Sequence, residues 1–102
     1  MNNIQAHENI LHQLHRTYKQ KNKDYGNSFS KQFEEYGEIS VAIRLEDKLN
    51  RFKTLIKQEA EVLDESKEDT LLDLANYSIM TVMDLRKKRY EGKSQDSIGL
   101  KK

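Results

Sequence analysis

Residues 65–90 read ESKEDTLLDLANYSIMTVMDLRKKRY, and the apolar pattern of this segment is the main indication of the fold. On a helical wheel with about 100° per residue, its apolar side chains cover one broad side and part of the opposite side. The broad side carries Leu71, Leu74, Ala75, Ile79, Val82 and Leu85, while Leu72, Met80 and Met83 lie towards the other side. Because a helix that is apolar nearly all round is buried nearly all round, this stretch predicts a central helix that packs against several neighbours.

Two amphipathic helices are predicted before this central helix. Apolar or packed positions recur at spacings of three and four in residues 3–21 and again in residues 39–60, which is the period of one helix face. The first face carries Ile4, His7, Leu11, Leu14 and Tyr18, and the second carries Ala42, Leu45, Leu49, Phe52 and Ile56. Ser66, with Asp69 three residues later, resembles a capping box that begins the central helix, and Gly92 is expected to end it near Tyr90.

The segment between the first two helices is rich in turn residues. They are Asn22, Asp24, Gly26, Asn27 and Ser28. This cluster predicts a loop that begins near Asn22. Aromatic anchors later in the segment predict a short helix over residues 31–36, and Gly37 separates this short helix from the next one.

The composition predicts one small domain with a thin core. Of 102 residues, 35% are apolar and 34% are charged, whereas soluble domains average about 45–50% and about 25%. We expect an all-α bundle of three main helices plus a short helix in the first loop, completed by oligomerisation. The domain is expected over residues 1–90, and residues 91–102 are expected to form a flexible polar tail.

The charge balance and the missing residue types exclude several classes of protein. Eighteen basic and seventeen acidic residues leave a net charge of +1, which argues against direct nucleic-acid binding through an electropositive clamp. The chain has no cysteine, which excludes disulfide scaffolds and thiolate zinc sites. It also lacks an apolar run of roughly 20 residues and the pattern of a signal peptide, so we expect a cytoplasmic protein without membrane association.

Acidic residues interrupt the apolar surface of the central helix at a helical period. Glu65, Asp69 and Asp73 recur every four residues on one side, and Asn76 and Tyr77 continue the line. Carboxylates at this spacing repel one another. Buried or half-buried carboxylates must be paired with cations or coordinate a metal, so this line predicts a cationic or metal partner.

The preceding helix carries a mixed stripe that complements the acidic line. Its members, at i, i+3, i+4 and i+7, are Arg44, Asp47, Lys48 and Arg51. If the two helices are antiparallel neighbours, the stripe and the acidic line face each other. One interpretation is a salt-bridge ladder that holds the bundle in register. The other is a magnesium site, in which the carboxylates bind the ion and the basic side chains bind phosphate oxygens.

The loop KNKDYGNS at residues 21–28 also has two interpretations. Tyr25 has a ring that can stack on a nucleobase, Asn22 and Asp24 have polar groups for its edge, and the lysines suit phosphates. The alternative is a helix C-terminus, where lysines favour the helix dipole, followed by a turn that an aspartate starts. The residues alone leave both interpretations open.

Three motifs taken together resemble a known family. They are the loop KNKDYG at residues 21–26, the stripe R-x-x-D-K-x-x-R at residues 44–51 and the run E-x-x-x-D-T-x-x-D-L-x-N-Y at residues 65–77. In this order they resemble the first class of the nucleotide-modification-associated domain family, common in bacteriophages and prophages, over roughly residues 15–85. That family is in turn similar to the MazG-like all-α nucleoside triphosphate pyrophosphohydrolases, which bind magnesium through two acidic pairs and work as dimers or tetramers.

The resemblance implies a magnesium-dependent protein that binds a nucleotide and hydrolyses a nucleoside triphosphate to the monophosphate and pyrophosphate. The catalytic and magnesium-binding residues would be Asp47, Glu65, Asp69 and Asp73; the phosphate-binding residues Arg44, Lys48 and Arg51; and the base-binding residues Asn22, Asp24 and Tyr25. Glu35 and Glu38 match the first acidic pair literally and remain an alternative to Asp47.

The resemblance also implies a homodimer or tetramer in a bacterial cytoplasm, which is the host's if a phage encodes the chain. The alternative function is a non-catalytic nucleotide-binding protein or a helical adaptor associated with phage DNA or nucleotide modification. A binder of this kind would take up a nucleotide and leave it intact.

Overall fold

The computed structural model describes residues 2–58 and 64–97, apart from the side chains of Tyr25, Asp64, Glu65 and residues 92–97. The described residues form four helices and no strand. They are α1 (Asn3–Tyr25), α2 (Ser28–Tyr36), α3 (Glu38–Leu55) and α4 (Asp64–Ser97). The predicted all-α class, with three long helices and a short one between the first two, is confirmed.

The first helix begins at a polar cap and ends at a glycine. The Asn2 side-chain oxygen accepts a hydrogen bond of 2.8 Å from the Gln5 backbone N–H, which satisfies one free donor of the first turn. Gly26, at φ 64°, follows the helix and donates its N–H to the Asn22 carbonyl at 2.8 Å. The prediction of a loop from Asn22 is therefore wrong, because the chain stays helical up to the first residue that adopts a left-handed conformation without strain.

A second glycine separates α2 from α3. Gly37 has φ 77°, and its N–H donates to the Phe33 carbonyl at 2.7 Å. This one residue lies between the end of α2 and the start of α3. The short helix predicted over residues 31–36 is confirmed and begins earlier, at Ser28.

The third helix is shorter than its apolar stripe predicted. It ends at Leu55, and the Ile56 N–H still bonds the Phe52 carbonyl at 3.0 Å. The Lys57 N–H then bonds the Thr54 carbonyl at 3.2 Å, which is the i to i+3 pattern of a tightened last turn. The predicted helix end at residue 60 lies outside the described residues.

The fourth helix is longer than predicted at both ends. It begins at Asp64, so Ser66 lies within the first turn instead of capping it, and the Ser66 carbonyl accepts from the Thr70 hydroxyl at 2.7 Å. It ends at Ser97, beyond Gly92. One glycine costs about 1 kcal/mol relative to alanine, which in the absence of proline is too little to end a helix. Residues 91–97 thus continue the helix, and residues 98–102 lie outside the described part.

The last two helices run antiparallel and make the main contact of the fold. The pairs that show this are Arg44 with Tyr77, Lys48 with Asp73, and Arg51 with Thr70. Each step forwards along α3 is matched by an equal step backwards along α4. The second helix contacts both members of this pair, and α1 packs against α4, where the Asn76 side chain donates to the Leu14 carbonyl at 3.2 Å.

The core is small, as the composition predicted. The buried apolar side chains among those described are Leu14, Phe29, Phe33, Val41 and Leu55. Much of α4 is open in the single chain, since Leu71 and Val82 are 45% and 44% exposed. Among the described helices, none combines the length and the hydropathy that a membrane span requires.

Candidate functional site

The basic stripe of α3 meets the acidic line of α4, as the spacing predicted. The Lys48 ammonium lies 3.0 Å from a carboxylate oxygen of Asp73. One turn further along α3, the Arg51 Nε donates to the Thr70 hydroxyl at 3.3 Å. Both contacts are partly buried, so they exchange water for a partner on the facing helix.

Asp73 joins three helices through its carboxylate. Its second oxygen lies 3.4 Å from the ammonium of Lys21 on α1, while the first is bound by Lys48 on α3. The Asp73 side chain is 28% exposed, so its charge is partly desolvated and the two ammonium groups neutralise it. The ion pair predicted between α3 and α4 therefore also includes a lysine of α1.

Arg44 lies over two stacked aromatic rings. Phe29 of α2 and Tyr77 of α4 stack with their centroids 5.6 Å apart and their planes 12° from parallel. The Arg44 guanidinium carbon is 5.3 Å from the first centroid and 5.5 Å from the second. Its Nε also donates to the Gln32 side-chain oxygen at 2.8 Å. The guanidinium is thus held by two rings and an amide, with further N–H donors available for another acceptor.

A cavity of about 180 Å³ lies beside these groups, where the end of α1 and the start of α2 approach α4. Its lining residues are Tyr18, Lys21, Asn22, Gly26, Ser28, Phe29, Arg44, Asp73, Asn76, Tyr77 and Met80. Gly26, whose φ is positive, lies between α1 and α2 and is itself part of the lining, so residues from the end of α1 and the start of α2 both border the cavity. The cavity therefore combines aromatic surface, amide groups and cations within one small volume.

The family described as Nucleotide modification associated domain 1 matches residues 21–85. The chain belongs to this family. The match spans the segment from Lys21 to Leu85, which holds nearly all of the cavity lining and the whole of α2 and α3. No curated protein and no solved structure matches the chain.

The three residues predicted to bind a base are not all found at the cavity in the described structure. Asn22 lines the cavity. Asp24 is exposed and accepts from the Gln20 amide, at 3.2 and 3.3 Å, one turn earlier on the same helix. The Tyr25 side chain lies outside the described residues. Of the three, the described structure brings only Asn22 to the cavity.

The predicted phosphate-binding residues lie on one face of α3, in line with their spacing. Arg44 lines the cavity, Lys48 reaches it through Asp73, and Arg51 lies further along the helix beside Thr70. Lys21, one of the loop lysines expected to suit phosphates, lines the cavity and binds Asp73, a contact that the spacing did not predict.

The predicted magnesium ligands do not come together in the described part of the structure. Asp73 lines the cavity, whereas Asp47 and Asp69 are exposed, and the Glu65 side chain lies outside the described residues. Glu35 and Glu38, the alternative first pair, are exposed as well. Across the side chains that the structure describes, no group of three or more histidine, aspartate or glutamate residues could hold a metal ion.

The two stacked rings are the main feature that sequence reasoning missed. In the sequence Tyr77 continues the acidic line, four residues after Asp73, and Phe29 is one of the aromatic residues that follow the turn-rich segment. The helical step from Asp73 to Tyr77 was the available signal, because it places the ring one turn from the carboxylate on the same face. The contact of Gln32 with Arg44 had no signal, since it depends on how α2 packs on α3.

Proposed function

We propose that this protein binds a nucleotide, with the base in the cavity and the phosphates against Lys21, Arg44 and Lys48. The observation that carries the proposal is the Arg44 guanidinium held over the stacked Phe29 and Tyr77 rings at the cavity wall. Aromatic faces accept a base by stacking, and guanidinium and ammonium groups bind phosphate oxygens with charge-assisted hydrogen bonds. The name of the family, Nucleotide modification associated domain 1, supports the same class of ligand.

The size of the cavity supports this division of the ligand. Pockets for drug-sized molecules are roughly 300–1,000 Å³, and this one is about 180 Å³. A ring system suits such a volume, while a sugar and a chain of phosphates would extend out of it towards Lys21 and Arg44, which line the cavity, and Lys48, which binds the lining residue Asp73. Asn22 lines the cavity, and its side-chain amide offers both a donor and an acceptor to a base edge.

The charges around Asp73 support a polyanionic ligand. Lys21, Arg44 and Lys48 supply three positive charges, and Asp73 supplies one negative charge, so the group carries a surplus of positive charge. A phosphate at the rim would share Lys21 and Lys48 with Asp73, which already holds both ammonium groups close to the cavity. Because the cations are ordered before the ligand arrives, less side-chain freedom is lost on binding.

A second candidate function is magnesium-dependent hydrolysis of a nucleoside triphosphate to the monophosphate and pyrophosphate, as in the MazG-like enzymes. It is favoured by the Asp73 carboxylate, which lines the cavity beside the phosphate-binding cations, with Asp69 one turn earlier on the same helix. Glu65 and Asp47 would have to complete the ligand set with them. Magnesium, when bound by such a set, polarises a phosphate and activates a water.

The test is a titration of the purified protein with each of the four deoxynucleoside triphosphates, with and without magnesium. We expect heat of binding with at least one of them. Arg44→Met should weaken this binding by about tenfold to a hundredfold, because it removes a charge-assisted contact of roughly 1.5–3 kcal/mol. Arg16→Met is the matched control, because Arg16 is exposed on α1 and does not line the cavity.

Analysis of the nucleotide after incubation separates the two candidates. Recovery of intact nucleotide with and without magnesium identifies a binder, and magnesium-dependent release of pyrophosphate identifies the hydrolase. If the folded protein binds none of the four triphosphates and none of their monophosphates, the proposal is wrong.

A further inference from the structure

Asp84 of α4 is a buried carboxylate that the proposed nucleotide contacts leave unused. It is 8% exposed. In the described structure it has one hydrogen-bond partner, the hydroxyl of Ser30 on α2, which lies 2.9 and 3.1 Å from its two oxygens. No ion pair among the described side chains includes Asp84. It therefore lacks the cation that usually accompanies a buried carboxylate.

The Asp84 carboxylate can accept more hydrogen bonds than Ser30 gives it. A hydroxyl carries a single proton, whereas the two oxygens of a carboxylate have about four acceptor sites. Both oxygens lie within bonding distance of the same hydroxyl, so they share that one proton. Because a buried carboxylate is costly without donors, the remaining acceptor sites favour a ligand that brings N–H groups to Asp84.

Asp84 borders a smaller cavity of about 70 Å³, called here the second cavity, which adjoins the one proposed to hold the base. Asp84 and Ser30 line the second cavity and not the first. The lining residues common to both cavities are Tyr18, Asn22, Gly26, Phe29 and Met80. The methionine among them has an unbranched, adaptable side chain, so the wall between the two volumes can yield to a ligand group.

The groups along α4 follow the order of the parts of a nucleotide. One side of the helix carries, at steps of four, three and four residues, Asp73, Tyr77, Met80 and Asp84. With a rise of about 1.5 Å per residue, Asp73 and its two lysines lie about 6 Å before Tyr77 along the helix axis. Asp84 lies about 10 Å beyond Tyr77 in the opposite direction. A nucleotide whose phosphates meet the lysines therefore directs its base towards Asp84.

We propose that Asp84 selects nucleobases whose edge carries an exocyclic amino group, which are cytosine, adenine and guanine. This inference rests on the proposed nucleotide site. A carboxylate accepts a hydrogen bond from the amino group of a base, as aspartate and glutamate do with cytosine. Uracil and thymine have a carbonyl oxygen where cytosine has its amino group. That oxygen would face the Asp84 oxygens with no proton between them, so these two bases are disfavoured.

The first test uses two pairs of ligands that differ in the amino group. Deoxycytidine triphosphate is compared with deoxyuridine triphosphate, and deoxyguanosine triphosphate with deoxyinosine triphosphate. Calorimetry with magnesium present uses analogues with a methylene group between the α and β phosphates, so that hydrolysis does not interfere. In at least one pair, the member with the amino group should bind the wild-type protein about tenfold to a hundredfold more tightly. Binding without this preference in either pair overturns the inference alone, whereas no binding of any nucleotide overturns the proposed function with it.

The second test changes the carboxylate. Asp84→Asn should make the two members of each pair bind about equally, because an amide offers a donor as well as an acceptor to the base. Glu34→Gln is the matched control, since it makes the same chemical change at an exposed residue of α2 that lines neither cavity, and it should keep the wild-type preference. An Asp84→Asn variant that is folded by circular dichroism and keeps the preference overturns the inference. If this variant does not fold, the ligand pairs on the wild-type protein decide.

The third test separates base selection from the support that Asp84 gives to the fold. Ser30→Ala removes the hydroxyl that joins α2 to Asp84 and leaves the carboxylate in place. This variant should unfold at a lower temperature than the wild-type protein, yet it should still prefer the bases with an amino group. A preference that disappears with the hydroxyl would assign the selection to Ser30 and overturn the inference.

Discussion

The side of α4 that faces the other helices and the side that faces away from them are built from opposite kinds of residue. The inward side carries Thr70, Asp73, Tyr77 and Asp84, and its charges and hydroxyls meet partners on α1, α2 and α3. The outward side carries Leu71, Val82 and Leu85, which are 45%, 44% and 39% exposed. A compact monomer normally has the reverse arrangement. The comparison shows that one side of α4 contributes paired polar groups to the interior beside the small apolar core, while apolar side chains on its other side stay exposed in the single chain.

The paired interior is complete in its hydrogen bonding. Among the described side chains, no buried nitrogen or oxygen lacks a hydrogen-bond partner. This completeness allows polar groups to occupy positions that would otherwise be unfavourable. We therefore expect the small apolar core to contribute most to the free energy of unfolding. The buried pair of Ser30 and Asp84 should contribute less, and the exposed ion pairs should contribute least.

The largest expected effect is in the apolar core. Phe33→Ala should lower the free energy of unfolding by about 3–5 kcal/mol, because it removes a ring that is only 7% exposed and leaves a cavity. Ile39→Ala, at a position 63% exposed, should change it by less than about 0.5 kcal/mol. Urea denaturation followed by circular dichroism measures both. An equal decrease in the free energy of unfolding for the two variants would contradict the expected difference between the interior and the surface.

The next effect concerns a buried carboxylate. Asp84 is 8% exposed, and its two oxygens lie 2.9 and 3.1 Å from the hydroxyl of Ser30 on α2. Ser30→Ala should cost about 1.5–3 kcal/mol, because a hydrogen bond to a charged group is lost. Ser40→Ala, which removes a bond of 2.8 Å to the neutral Gly37 carbonyl, should cost only about 0.5–1.5 kcal/mol in the same denaturation experiment. A smaller loss from the first variant than from the second would contradict this order.

A smaller effect is expected for the ion pair between α3 and α4. A double-mutant cycle with Lys48→Met and Asp73→Asn should give a coupling energy of about 0.5–1 kcal/mol, because both side chains keep contact with water. Their exposed fractions are 26% and 28%. The coupling should fall when salt is added, since the remaining exposure allows screening. A coupling above about 3 kcal/mol would instead indicate a fully desolvated pair.

The smallest effect is expected for the second lysine on the same carboxylate. Lys21 is 57% exposed and lies 3.4 Å from Asp73, compared with 3.0 Å for Lys48. The cycle with Lys21→Met and Asp73→Asn should therefore give less than about 0.5 kcal/mol. A larger coupling energy with Asp73 for Lys21 than for Lys48 would contradict this order.

Some helix ends were predictable and others were not. The sequence predicted a helix for each apolar period, and the short helix α2, because periodic apolar residues bury one face whatever the neighbours are. It misplaced the end of α1 at Asn22 and the end of α4 near Tyr90. Polar residues tolerate helical conformation when the following chain continues it, so the actual end of α1 depended on the conformation that Gly26 adopts.

The candidate site divides in the same way. The meeting of Lys48 with Asp73 followed from two spacings and an antiparallel pair of helices. The roles of Lys21, Phe29 and Gln32 did not follow, because these residues lie on helices whose packing angle the sequence does not encode locally. The predicted cluster of carboxylates required particular turns of α3 and α4 to face each other. In the described structure, the charged side chains that contact Asp73 are instead two lysines.

The all-α class and the family followed from the sequence alone, and the charge spacing indicated which faces of α3 and α4 would meet if the two helices were antiparallel neighbours, because helical periodicity and charge spacing are local properties of the chain. Only the tertiary structure decided that the Arg44 guanidinium lies over two stacked rings, that one carboxylate holds lysines from two helices, and that one apolar side of α4 is open in the single chain. These features depend on contacts between residues far apart in the sequence. Such contacts are set by how whole helices pack, and no local pattern specifies that packing.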